Sequence, residues 1–144
     1  MSIWFEPFSV DDLNTYQQQT LVTHLGIHYT EVGDDYLKAM MPVDERTKQP
    51  AGILHGGASV ALAETLGSTG ANLVVDRSKK LCVGLEINAN HIRAMRDGEV
   101  TGIARPLHIG GSTQVWEIRI TDQDHKLVCV SRITMAVLDR AAFR

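Results

Sequence analysis

The sequence contains little cysteine and no excess of basic residues, and each shortage excludes a class of function. Its 144 residues include only Cys82 and Cys129, both inside alternating apolar runs. Two cysteines this far apart are too few for a zinc site. We therefore expect two buried free thiols in a reducing compartment, with a disulfide between neighbouring strands as the alternative. The 14 basic and 17 acidic residues give a formal net charge of −3, which provides no overall electrostatic attraction for nucleic acid.

Long hydrophobic runs, repeats and linkers are also absent. No stretch approaches the roughly 18 uninterrupted apolar residues that a membrane-spanning helix needs. Residues 1–7 have neither the basic nor the apolar region of a secretion signal. No Pro-, Gly- or Ser-rich segment divides the chain. We therefore expect a single domain over residues 1–144, located in the cytoplasm and not bound to a membrane.

One long apolar segment in the middle of the chain predicts a buried helix. Residues 49–75 contain a single formally charged side chain, Glu64. Residues 58–75 are rich in alanine and glycine and are apolar on nearly every side, so a helix there should be buried. Its small residues would let other backbone segments approach closely.

The remaining segments predict a short helix and several strands. We expect the short helix at residues 11–20, capped by Asp11 or Asp12, with Leu13 and Tyr16 facing the interior. Apolar and polar residues alternate through the other segments, which is typical of strands. The predicted strands cover residues 26–30, 36–43, 81–89, 99–107, 116–120 and 127–137.

The strand at 81–89 shows the clearest alternation. Its apolar residues are predicted to share one face: Leu81, Val83, Leu85, Ile87 and Ala89. One long helix beside an antiparallel meander is an α+β layer arrangement. Because a single helix cannot cover both faces of such a sheet, we expect a second subunit to cover the other face or the flank of the helix.

The residues just before the long helix are suited to binding a developing oxyanion. Gly56 and Gly57 have no side chains to block a ligand, and the first N–H groups of a helix lack partners and lie at its partly positive end. Gln49 adds a neutral amide donor, and His55 offers either a donor or a structural hydrogen bond. An ordinary turn before a helix and a satisfied core histidine are the alternatives for the glycines and His55.

Glu64 most needs an explanation, because burying an unpaired carboxylate costs several kcal/mol. In an apolar cleft a carboxylate can serve as a general base or a nucleophile. Ser68 lies one helical turn later on the same face and could hold the carboxylate or a water. The alternative is that Glu64 pairs with an arginine from a strand or from another subunit. No histidine spacing such as HExxH occurs, so we expect no metal.

Three motifs together resemble the hotdog-fold acyl-CoA thioesterases. They are the run Gly52–Ala58 with its His-Gly-Gly core, then Glu64, then the run Leu85–His91, and the likeness extends from about Gly26 to Leu138. The similar subgroup contains the phenylacetate-pathway, enterobactin-proofreading and 1,4-dihydroxy-2-naphthoyl-CoA thioesterases. The resemblance implies a hotdog fold, in which a curved antiparallel sheet wraps a long central helix. It also implies a dimer with a continuous sheet, commonly paired into a homotetramer.

The resemblance implies a role for each residue near the long helix. Glu64 matches the catalytic carboxylate, acting as general base on water or as nucleophile. Gln49 and the N–H of Gly56 match the groups that polarise the thioester carbonyl, with His55 beside that carbonyl. Ser68 matches a polar residue near the attacking water or the substrate. In this family Glu64 of one subunit faces the other three groups across the subunit boundary, so a monomer is expected to be inactive.

The resemblance also implies a binding channel for the pantetheine and nucleotide of CoA. The matching positions are Val83, Asn90, His91, Ile92, Arg93, Leu107, His108, Ile109, Gly110, Gly111 and Ser112. A basic side chain at the mouth of such a channel suits the CoA phosphates, although a solvated surface charge is the alternative for each.

The function implied is hydrolysis of an acyl-CoA thioester without a cofactor. The likeness favours an aromatic acyl group over a long aliphatic chain, and a carrier-protein thioester stays open as the substrate. Two alternatives on the same fold are a non-catalytic acyl-CoA-binding protein and a hydratase-type enzyme.

Overall fold

The computed structural model describes residues 1–142, which form six strands and three α-helices. The helices are α1 (Val10–Tyr16), α2 (Leu21–His24) and α3 (Gly56–Leu73), followed at the end of the chain by a 3-10 turn at Arg140–Ala142. The strands are β1 (His28–Val32), β2 (Leu37–Pro42), β3 (Lys80–His91), β4 (Glu99–Ile109), β5 (Thr113–Thr121) and β6 (Leu127–Asp139). The prediction of a single domain over 1–144 stays a prediction, and its last two residues lie outside the described part.

The six strands form one antiparallel sheet in the order β1-β2-β4-β5-β6-β3, and α3 packs across one face of it. Fully buried side chains from both layers form the core, among them Leu62, Leu66, Trp116, Ile118 and Ile133. Glycines allow the close contact: a Cβ on Gly67 would lie 2.5 Å from Cγ2 of Ile133, and one on Gly70 would lie 2.8 Å from the Trp116 ring. The α+β architecture of a long helix against an antiparallel sheet is therefore as predicted.

Both helix predictions need correction at their ends. Helix α3 spans Gly56–Leu73 rather than 58–75, because the His55 side chain caps it: Nδ1 accepts a 2.7 Å hydrogen bond from the Gly57 N–H. Helix α1 is shorter than predicted and is capped by Ser9, which forms a capping box with Asp12. Leu13 is buried as predicted, but Tyr16 is not, since its side chain is 87% exposed.

The prediction of one continuous apolar face on β3 is wrong. A bulge between Gly84 and Glu86 shifts the register of β3 against β6. Cys82 therefore faces α3 before the bulge, and Ile87 packs against the core after it. Leu85, at the bulge, points to the surface and is 62% exposed. The bulged segment lies at the edge of the sheet, a position where bulges commonly re-aim side chains.

Cys82 and Cys129 are both buried and free, as predicted. Burial raises the pKa of the Cys82 thiol to about 11 and also raises the pKa of Cys129, so neither is a reactive thiolate at neutral pH. Among the helices of residues 1–142, none is both long enough and apolar enough to cross a membrane.

Candidate active site

The first half of the candidate site lies at the N-terminal end of α3. A cavity of about 370 Å³ there is lined by Gln49, Gly56, His91, Ile92 and Arg93, among others. Two predicted carbonyl-polarising groups and three predicted CoA-binding residues therefore meet in one place. The loop before α3 and the end of β3 supply these residues.

Gly56 presents an unpaired backbone donor to this cavity. The N–H of Gly57 is bonded to His55, and the N–H groups of Ala58 and Ser59 are bonded to the His55 carbonyl. Within residues 1–142 the Gly56 N–H has no such acceptor. This donor sits at the partly positive end of the helix, which favours an oxyanion.

Gln49 is held by a turn that leaves its amide donor free. The Gln49 N–H bonds to the Ile53 carbonyl at 2.9 Å, and the Gly52 N–H bonds back to the Gln49 carbonyl at 2.9 Å. Gly52 has a φ of +81°, which favours glycine at this turn. The Gln49 side-chain oxygen accepts the Ala51 N–H. Its Nε2 finds no acceptor within the described residues, so it remains able to donate to a ligand carbonyl.

His55 is exposed, and its cap fixes its tautomer. Because Nδ1 accepts the Gly57 N–H, a neutral imidazole must carry its proton on Nε2. The ring therefore presents a donor away from the helix. The alternative of a satisfied core histidine does not hold, since the residue is not buried.

The second half of the site is Glu64, which lies further along α3. Eight residues separate it from Gly56, or about 12 Å at roughly 1.5 Å per residue. Its carboxylate lies against β3, with Oε1 2.9 Å from where a Cβ on Gly84 would be. Desolvation raises the pKa of this partly buried carboxyl. None of the ion pairs formed within residues 1–142 includes Glu64, so none of the arginines among those residues neutralises it.

Ser68 lines a second cavity, of about 710 Å³, one helical turn beyond Glu64. This cavity lies between α3 and the N-terminal segment, and its wall includes the aromatic rings of Phe8 and Tyr16. Arg77 and Arg140 also line it. Sequence reasoning missed these four residues as candidates, because nothing in the sequence shows that the N-terminal segment crosses this face of α3.

The predicted CoA-binding residues do not all come together in one chain. Residues 107–109, predicted as part of a loop, are the end of strand β4, and the β4–β5 turn covers only residues 110–112. Val83 pairs with Ala136 of β6, and Thr113, which follows this turn, pairs with the same residue. His91 pairs instead with Cys129. At roughly 3.3 Å per residue the two levels are about 23 Å apart along β6. One chain therefore places its predicted CoA-binding residues at two opposite ends of the sheet.

Both halves of the site border the same free edge. Strand β3 ends the sheet order, and it extends for 12 residues with only β6 beside it. Glu64 meets this strand at Gly84, and Gly56 meets it at His91. Asn90 is exposed next to His91. Within residues 1–142 no three His, Cys, Asp or Glu side chains are grouped to hold a metal ion.

Comparison with known proteins gives consistent matches over most of the chain. The matching family model is described as the thioesterase superfamily and covers residues 51–129. The 1,4-dihydroxy-2-naphthoyl-CoA hydrolase of Escherichia coli strain K12 is 49% identical over 136 residues, which are 94% of this chain and 99% of that protein. The proofreading thioesterase EntH of Cronobacter turicensis is 51% identical over 136 residues, which are 94% of this chain and 98% of that protein.

Solved structures match equally well. A mutant thioesterase from Pseudomonas aeruginosa has a TM-score of 0.94 and 48% identity, covering 96% of this chain and 99% of that one. A thioesterase from Haemophilus influenzae has a TM-score of 0.92 and 47% identity, covering 95% of each chain. The hotdog fold predicted from the sequence is thereby confirmed.

Proposed function

Because the chain belongs to the thioesterase superfamily, we propose that it hydrolyses acyl-CoA thioesters at a site shared between two copies of the chain. The observation that carries this proposal is the separation along α3 of Glu64 from the N–H of Gly56, which shares a cavity with Gln49. A carboxylate about 12 Å along the helix from the oxyanion donors cannot serve the same carbonyl within one chain.

Pairing of two β3 edges would bring the separated halves together. We propose a homodimer in which the β3 strands run antiparallel about the middle of residues 84–91, which continues the sheet from one copy into the other. This arrangement places Glu64 of one copy beside Gly56 of the other. It would also satisfy the unpaired backbone groups of a long edge strand. A further pairing of two dimers into a homotetramer is part of the proposal, and it rests on the resemblance alone.

In the proposed mechanism the thioester carbonyl accepts hydrogen bonds from the Gly56 N–H and the Gln49 amide. The Nε2 proton of His55 points toward the same carbonyl. Glu64 takes a proton from water while the water oxygen attacks the carbonyl carbon, and the negative charge forms on the carbonyl oxygen. Collapse of this intermediate breaks the C–S bond, and the proton held by Glu64 passes to the leaving thiolate.

Direct attack of the Glu64 carboxylate on the thioester carbonyl carbon is the alternative route to the same products. It would form a mixed anhydride and expel the thiolate, and water would then release the acid. We propose that Ser68, one turn beyond Glu64, holds the attacking water or the substrate, which is supported by its position in the wall of the second cavity. Both routes give the free acid and CoA.

We propose that the CoA portion lies along residues contributed by both copies. Asn90, His91, Ile92 and Arg93 come from the copy whose donors hold the carbonyl. Val83 and residues 107–112, which end β4 and form the β4–β5 turn, come from the copy that supplies Glu64 and include His108 and Ser112. We propose that Arg93 contacts a CoA phosphate, since it lines the cavity that also contains Gln49 and Gly56.

The acyl group is proposed to be aromatic. The relatives named above include a hydrolase of an aromatic acyl-CoA. The cavity beyond Ser68 is lined by Phe8 and Tyr16, and its volume of about 710 Å³ exceeds what one aromatic ring needs. An acyl group extending from the carbonyl past Ser68 would enter this cavity.

Thiol release from benzoyl-CoA by the purified chain tests the proposal. Glu64→Gln keeps the shape of the side chain but removes the base, so hydrolysis should fall by at least about 10³-fold. Glu117→Gln is the matched control, because that carboxylate is paired with Arg119 on the sheet surface and should not affect turnover. Tight binding of benzoyl-CoA with no thiol release by the wild-type chain would contradict the proposal.

A further inference from the structure

The bulge in β3 lies directly opposite the carboxylate of Glu64. Gly84 is the last residue before the register shift, and it faces α3. The next residue, Leu85, points away from the helix and is exposed. The strand thus presents a bare backbone to Glu64 at the position where its alternation is interrupted.

A side chain at Gly84 would collide with Glu64 and with little else. A Cβ there would lie 2.9 Å from Oε1 of Glu64, while the next nearest atoms are 3.8 Å (Cδ of Glu64) and 3.9 Å (Cδ1 of Ile133) away. The latter distances are ordinary van der Waals contacts. The group that would have to move is therefore the flexible end of Glu64, and the backbone around it could stay in place.

The backbone of Gly84 gives no other reason for glycine. The glycines with positive φ are Gly26, Gly52 and Gly98, so Gly84 is not in the left-handed region. Glycine within a strand destabilises the fold relative to alanine, because it has more conformational freedom to lose. Glycine at position 84 weakens the strand and is not required by the backbone geometry. We therefore look for its reason in the Glu64 side chain that packs against it.

We propose that Gly84 is a positioning residue for Glu64, whose missing side chain lets the carboxylate rest against the edge strand at the angle needed for attack. This inference rests on the proposed role of Glu64 in hydrolysis. Strand β3 is also the edge proposed to meet the second copy. The bulge in β3 therefore holds the carboxylate at the subunit boundary, where the thioester is proposed to bind. Glu64 is partly buried at this position, and that burial raises the pKa of its carboxyl.

The test is Gly84→Ala, assayed with benzoyl-CoA. We expect kcat to fall by about 10- to 100-fold with KM nearly unchanged, because a displacement of the reacting group by about 1 Å has effects of this size. The melting temperature should stay level or rise, since alanine is the better strand residue. The acid limb of the pH–rate profile should move to lower pH, because the displaced carboxylate is better solvated. Glu117→Gln, whose carboxylate pairs with Arg119 on the sheet surface away from β3, is the control, expected to keep both kcat and the size-exclusion profile of the wild type.

Glu64→Asp provides a rescue test. Aspartate is one methylene shorter, so its carboxylate does not reach the position of the new Cβ. The Glu64→Asp variant alone should have a low kcat. Adding Gly84→Ala to it should lower kcat by less than about 3-fold more, whereas independent substitutions would multiply their separate losses. Should Gly84→Ala fail to fold, Glu64→Ala in the same chain must restore folding, because it removes the colliding atoms.

The outcomes separate this inference from the proposed function. A Gly84→Ala enzyme with wild-type kcat, multiplicative losses in the double variant, or no restoration of folding by Glu64→Ala would overturn the positioning role. If Glu64→Gln itself kept normal hydrolysis, the proposed function would fail first. Loss of activity in Glu64→Gln combined with normal activity in Gly84→Ala would leave the proposed function standing and reject the inference alone.

Discussion

The imidazole of His91 lies over Gly56, so close that a Cβ on Gly56 would come within 2.9 Å of His91 Nε2. The ring of His91 comes from the end of β3, whereas Gly56 opens α3. The contact therefore joins the helix terminus to the sheet edge at the unpaired N–H of Gly56. It also explains why the first residue of the helix has no side chain.

Gly56→Ala should reduce hydrolysis by about 10²-fold, because the added methyl group pushes His91 away and crowds the carbonyl site. Steady-state kinetics with benzoyl-CoA would measure the loss. The double variant Gly56→Ala/His91→Ala separates crowding from a change in the helix itself. It should regain kcat relative to Gly56→Ala, while its KM should rise because His91 is also proposed to contact CoA. A double variant with a still lower kcat would show that crowding by His91 is not the cause.

Arg93→Gln should raise KM for benzoyl-CoA by about 10-fold, as expected for losing a hydrogen bond to a charged phosphate. Its kcat should change little, because Arg93 is proposed to contact the CoA portion and not the carbonyl. A truncated benzoyl thioester that lacks the nucleotide supplies the comparison, since its KM should be insensitive to the substitution. Arg119→Gln, on the sheet surface, is the matched control. An equal KM increase for both substrates would contradict a phosphate contact.

Sequence patterns predicted the parts of the fold where one physical requirement dominates. The single charge in an apolar segment identified both α3 and Glu64, and the alternation of apolar and polar residues located the strands. The bulge at Leu85 could not be predicted, because the apolar alternation of Leu81 through Ala89 continues through it without a break. The bulge accompanies the packing of Gly84 against Glu64, a contact between segments that are distant in the sequence. The exposure of Tyr16 depends likewise on how the N-terminal segment crosses α3.

Each residue of the candidate site was named from the sequence. That these residues are divided between two copies of the chain was implied only by the family resemblance. Gln49, Gly56 and Glu64 stand within 16 positions of one another in the sequence. Nothing in that spacing shows that α3 holds Glu64 away from the other two. The helical rise makes the separation certain once the helix is known to begin at Gly56.

The pH dependence of hydrolysis should report the environment of Glu64. Burial raises the pKa of this carboxyl, and a base must be ionised to accept a proton. The rate should therefore fall as pH drops through a value above that of an ordinary glutamate. A pH–rate profile of kcat/KM checks this expectation. An acid limb at or below the pH of an exposed carboxyl would show that a different group limits the rate.

Glu64→Gln should stabilise the folded protein at neutral pH. Because burial raises the pKa of Glu64 in the folded state, the folded state binds that proton more tightly than the unfolded state. The stability due to Glu64 is present at acidic pH and is lost as pH rises through the raised pKa. Thermal melts should show the Gln variant above the wild type at pH 7, and the difference should shrink below the pKa. A wild-type chain that is more stable at neutral pH would point to an unseen cationic partner.

Mixing two inactive variants tests the shared site directly. In a dimer of Glu64→Gln with Gln49→Ala, one site combines both defects, and the other combines the intact Glu64 of one chain with the intact Gln49 of the other. Random assembly of equal amounts should therefore recover about a quarter of wild-type activity, because half of the dimers are mixed and half of their sites are intact. Co-expression or joint refolding allows the chains to exchange, and each variant refolded alone serves as the control. A site contained within one chain would recover no activity in the mixture, since every chain carries a defect.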